Sequence, residues 1–90
     1  MEREELIQWL KGFLSFAKES EQFDGRKNAI WCCGEDGDKY KGKVIFSYYN
    51  WSIPAYENGV EKNFREKLKS FGWVCRWRDA GTVFIYPIEK

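Results

Sequence analysis

Histidine is absent from these 90 residues, and that absence removes more chemistry than any residue present suggests. Without imidazole the chain has no side chain that ordinarily titrates near neutrality, no Ser-His or Cys-His nucleophile, and none of the commonest metal ligand. Catalysis would have to use carboxylates or lysine. The acids fall mainly on the outer side of the first predicted helix and in the stretch Gly34-Glu35-Asp36-Gly37-Asp38, and nothing marks a pair of unequal acidity.

Cysteine is scarce and badly spaced for a metal. Cys32, Cys33 and Cys75 form no C-x-x-C pair, so zinc would need an unusual fourth ligand. Adjacent cysteines on a strand point to opposite faces, and buried or half-buried free thiols are expected. A hand-type calcium loop starting at Asp36 would need glycine at Lys41 and glutamate at Ser47, so it fails. Gly34, Gly37 and Gly42 lie among acids and lysines without the strand-to-helix setting of a phosphate loop. No cofactor is expected.

A long hydrophobic run is also missing. Gln8, Lys11, Gly12 and Ser15 interrupt the apolar residues near the start, which therefore reads as neither a signal peptide nor a membrane span. The expected location is cytoplasmic, where Asn50-Trp51-Ser52 has no meaning as a glycosylation acceptor.

Aromatic residues are abundant: seven Phe, five Tyr and five Trp, 19% of the chain. Each buries about 150–250 Å² when covered, and a chain of this length forms one domain that buries about 60–65% of its unfolded surface. Some rings should therefore reach the surface of the single domain spanning residues 1–90. Net charge is +1 but unevenly spread. Residues 1–38 hold five Lys/Arg against nine Asp/Glu, whereas residues 39–78 hold nine against three. That asymmetry points to an acidic partner for the central and C-terminal half, unless folding interleaves the signs.

Apolar residues from Leu6 to Ala17 fall on half a helical circumference, which predicts a helix over 2–19 with Glu2, Glu4 and Glu5 at its positive end, Gly12 on its wet side and Asp24-Gly25 as a stop. Residues 28–33 and 39–50 read as a first hairpin closed by the acidic turn. Asn58-Gly59-Val60-Glu61 has the form of a capping box, opening a second helix whose buried stripe is Val60, Phe64, Leu68 and Phe71 and whose end is Gly72. Trp73 then opens a second hairpin. The predicted fold is α+β, a two-layer sandwich in the order α-β-β-α-β-β, with two helices on one face of a roughly four-stranded, mainly antiparallel sheet.

In the second hairpin a three-residue loop, Asp79-Ala80-Gly81 with Gly81 left-handed, pairs residues whose numbers sum to 160, whereas a two-residue Ala80-Gly81 loop would set Arg76 opposite Ile85 and Arg78 opposite Val83 and break the partition of faces. In the three-residue register Trp73, Cys75, Trp77, Val83 and Ile85 face the core, while Val74, Arg76, Arg78, Phe84 and Tyr86 face away. Arg76 lies opposite Phe84 in this register, placed to stack on it. Such contacts serve sheet stability by themselves, but exposed arginine beside aromatic rings is also how sheet platforms hold single-stranded nucleic acid.

A second aromatic group sits near the end of the preceding strand. Tyr48 is expected inward and Tyr49 outward, with Trp51 and Tyr56 in the following loop, either covering a sheet edge or meeting a partner. Lys62, Arg65, Lys67 and Lys69 on the second helix read mainly as a solvated face.

These patterns point to a non-catalytic binding domain. The first expectation is a nucleic-acid contact through Arg76, Arg78, Phe84 and Tyr86, supported by Lys41, Lys43 and Tyr49. The alternative is a protein-interaction or inhibitor module anchored by Trp51 and Tyr56, and an open sheet face would equally serve a homodimer.

Overall fold

In the computed structural model, which describes residues 1–35, 37–49 and 54–88, the N-terminal helix stops much earlier than its apolar spacing predicts. Helix α1 covers Arg3–Leu10 and buries Leu6, Ile7 and Leu10. A tight turn follows, in which the amides of Phe13 and Leu14 both donate to the Leu10 carbonyl. Gly12 lies in this turn rather than within a helix, at the place where its poor helix propensity costs least. Leu14 remains on the core side, whereas Phe16 crosses to the opposite side of the sheet to pack edge-on against Trp31. Ala17–Glu19 is strand β1, with Ala17 buried and Lys18 exposed.

Ser20 leads into a single helical turn, α2 (Glu21–Asp24), which ends at left-handed Gly25. The predicted stop is therefore used, but by a different helix. Strand β2 (Ile30–Cys33) pairs with β1, and with none of the described residues of the expected strand 39–50. The expected first hairpin is replaced by a small one of its own, β3 (Lys39–Tyr40) and β4 (Lys43–Val44), turning through left-handed Lys41 and Gly42.

The capping box is also displaced. Asn58 and Gly59 are both left-handed and join β5 (Tyr56–Glu57) to β6 (Val60–Glu61) in a two-residue hairpin. This is the mirror-image turn that Asn-Gly favours. The helix begins one turn later: Glu61 is the N-cap of α3 (Lys62–Ser70), and its carboxylate accepts from the amides of Asn63 at 3.0 Å and Phe64 at 2.9 Å. Phe64 and Leu68 are buried on the helix as predicted, whereas Val60 is buried from β6 and Phe71 is only half-buried; Gly72 is left-handed just past the helix.

Strands β7 (Trp73–Asp79) and β8 (Thr82–Pro87) pair in the predicted register from Trp73 with Pro87 to Trp77 with Val83. The turn differs. Asp79 pairs with Thr82 after an irregularity at Arg78, so a bulge and a two-residue Ala80-Gly81 turn do what a left-handed Gly81 was expected to do.

The four-stranded antiparallel sheet runs β1-β2-β8-β7. With the three helices found among the described residues it makes a small α+β domain, although the element order is not the predicted alternation. One sheet face contributes Ile30, Cys32, Val83, Ile85 and Trp73 to a core shared with Leu6 and Leu10 of α1 and Phe64 and Leu68 of α3. The other face is not open as expected, because Phe23 of α2 lies against Trp31 and Phe84. Among the described residues no helix is long and apolar enough to cross a membrane.

Candidate functional site

Alternation and register align one residue from each strand across the outer sheet face: Lys18 of β1, Trp31 of β2, Phe84 of β8 and Arg76 of β7. The two rings at the centre of this row are already covered. Trp31 meets Phe16 at 5.0 Å and Phe23 at 4.9 Å, and the Lys18 ammonium lies 5.7 Å from its ring centroid. Phe84 meets Phe23 at 5.5 Å and is only 1% exposed.

The cation on Phe84 is not the one expected. Arg76 is its cross-strand partner, yet the Arg26 guanidinium lies over the ring, 4.2 Å from its centroid. Arg26 also donates to the Tyr86 hydroxyl at 2.9 Å and pairs with Asp24 at 3.3 Å. Arg78, displaced by the bulge, lies 5.1 Å from the Phe23 centroid and pairs with Asp79 at 2.6 Å. Gly81 donates its amide to Asp79, and this bond, with Arg78 nearby, holds the Asp79 carboxyl below its usual range. Cation–ring contacts of this kind are worth about 0.5–1 kcal/mol each at a surface. The outer face is thus a second, self-packed aromatic layer.

Arg76 is left exposed, and it borders a groove of about 740 Å³ beside the outer strand β7. Lys27 reaches the same groove from the segment before β2, and Arg65 and Lys69 reach it from α3. The last two are four residues apart and so share a helix face. Trp73 and Tyr86 supply aromatic walls. No carboxylate lines the groove among the described residues. Arg65 is partly neutralised by Glu57 at 3.4 Å, whereas Lys27, Lys69 and Arg76 make no ion pair with any described residue. Cations brought together this way produce a concave positive field that favours an anionic partner.

The other predicted site residues lie elsewhere. Lys41 and Lys43 are exposed on the β3–β4 hairpin, outside the groove lining, with Lys41 over the Tyr40 ring. Tyr56 donates its hydroxyl to the Val44 carbonyl at 2.6 Å, tying the two small hairpins together, and burial raises its pKa. Tyr48 packs on Trp77 at 5.1 Å, and Trp77 donates its indole N–H to the Asn58 carbonyl. Tyr49 is 85% exposed and touches the ring of Tyr48. Trp51 lies outside the described residues.

Cys32 and Cys75 carry free thiols, Cys32 in the core and Cys75 partly buried, and Cys33 beside Cys32 is half-buried. Burial pushes the Cys75 thiol up to about 12 and raises that of Cys32, which makes both poor nucleophiles at neutral pH.

Sequence reasoning missed Arg26 and Lys27 and discounted Arg65 and Lys69. The available signal was a pair of adjacent cations straight after the Asp24-Gly25 stop, within an otherwise acidic third of the chain. No protein-family model matches the chain, and no curated protein or solved structure matches it either, so its chemistry has to be read from its own residues.

Proposed function

We propose that this domain is a non-catalytic module that binds nucleic acid at the groove beside β7. The observation that carries this is the convergence of Lys27, Arg65, Lys69 and Arg76 on one concavity with no carboxylate among its described lining residues. Three separate parts of the chain supply these cations, so the concentration of charge is a product of the fold and not of a local run. Cationic side chains that replace the counterions condensed on the phosphates of a nucleic acid would give binding that weakens steeply with salt.

Titration of labelled single-stranded and duplex oligonucleotides at about 50 and 200 mM salt tests the proposal, since that interval separates phosphate-driven binding from apolar contact. Affinity should fall at least tenfold between the two, and Arg76→Ala should weaken binding at the lower salt while leaving the fold intact. Absence of binding to either form at low salt would discard it.

A second reading is favoured by one observation. Tyr49, at 85% exposure, is the kind of ring that anchors a protein contact. Binding to a protein partner that is indifferent to salt and abolished by Tyr49→Ala would favour this reading over the first.

A further inference from the structure

We infer that the groove takes the sugar–phosphate chain of its ligand and leaves the bases unread. The inference rests on the nucleic-acid reading above and deepens it.

A sheet that binds bases offers flat rings to stack on. Here each candidate ring is already engaged from within the domain. Phe84 is sealed beneath Arg26 and Phe23. Trp31 lies between Phe16 and Phe23, with Lys18 above it. Phe23 carries Arg78. Tyr86 borders the groove, but its hydroxyl is held by Arg26, which fixes the ring against Phe84 at 6.2 Å. Trp73, the other aromatic wall, is buried and donates its indole N–H to the Met1 carbonyl.

The groove therefore presents cations to a ligand, while Trp73 is buried and the half-buried Tyr86 ring is held in place through its hydroxyl. Lys27, Lys69 and Arg76 are exposed, and Arg65 is shared with Glu57. Three or four phosphate contacts are within their capacity. The ligand class is a flexible chain of phosphodiesters, recognised by charge and spacing, and base identity should contribute little to affinity.

The test compares an abasic oligonucleotide of fixed length with oligo-dT, oligo-dC and oligo-dA of the same length, using long-chain inorganic polyphosphate as a further competitor. All four strands should bind within about threefold of one another. The logarithm of affinity should fall with the logarithm of salt at a slope of about −2 to −3, as three or four neutralised phosphates on a single strand require. Lys27→Ala, Lys69→Ala and Arg76→Ala should each reduce that slope by about 0.7.

A tenfold or greater loss on removing the bases overturns the inference and leaves the nucleic-acid reading standing. So does a tenfold loss in Tyr86→Leu that Tyr86→Phe does not share, since it would reveal a stacked base. A tenfold preference for polyphosphate over the abasic strand overturns the assignment to a sugar–phosphate chain. Failure of every oligonucleotide to bind at low salt removes both the inference and the reading beneath it.

Discussion

The guanidinium of Arg26 lies 4.2 Å from the ring centroid of Phe84, although the two residues are 58 positions apart and Arg76 is the cross-strand neighbour of that ring. Arg26 is carried there by the single turn of α2 and left-handed Gly25, and it is anchored by Asp24 and the Tyr86 hydroxyl. It seals the outer aromatic layer, while Arg76 stands exposed at the groove.

Removing that seal should be measurable as stability. Arg26→Ala deletes a cation–ring contact and a charged hydrogen bond, with an expected loss of about 1–2 kcal/mol in denaturant unfolding. Arg26→Lys should recover only part of it, because an ammonium cannot cover the ring and reach Tyr86 with the same planar geometry. An Arg26→Ala variant as stable as the parent would mean that Phe84 is held by its ring neighbours alone.

Glu61 should matter for the helix that carries two groove cations. It is 1% exposed and caps α3 through the amides of Asn63 and Phe64. Glu61→Ala leaves those donors without a partner and should cost about 1–2 kcal/mol. Hydrogen exchange at Asn63 and Phe64 should quicken more than at Val83 or Ile85. Uniform acceleration across the domain would instead indicate that the cap and the core unfold as one unit.

The buried thiols set an alkaline limit. Burial pushes the Cys75 thiol up to about 12 from an ordinary 9.0, and it raises Cys32 as well. Their folded-state pKa values lie above the unfolded ones, so the folded chain holds these protons more tightly. Their contribution is therefore fully present below pH 9 and is lost as the pH rises from 9 toward 12. Thermal melts across that interval should show falling stability, and Cys75→Ala should flatten the fall. An equally steep fall in that variant would place the alkaline sensitivity on other groups.

Legibility along the chain followed the strength of local periodicity. The second hairpin was readable because alternation from Trp73 favours the register that keeps one face apolar, and the structure holds that register from Trp73 to Trp77 before the bulge at Arg78. Phe64 and Leu68 were readable as a helical stripe for the same reason, whereas Val60, expected in that stripe, is buried from strand β6. The stretch from Phe13 to Ala17 was not, because its apolar residues satisfy a helical face as well as a turn followed by a strand. Asn58-Gly59 carried two compatible signals, a cap and a hairpin turn, and the positive φ of both residues shows which one the chain uses.

The sequence by itself determined which catalytic chemistries lack their side chains, where the second hairpin turns and which of its side chains share the helix-side face, because composition and alternation are local properties. Tertiary structure alone decided that Lys27 from an acidic segment joins Arg65, Lys69 and Arg76, and that Arg26 rather than Arg76 covers Phe84. The physical reason is that charge convergence and ring coverage depend on distances between residues remote in the chain. Only the packing of α2 and α3 around the sheet sets those distances.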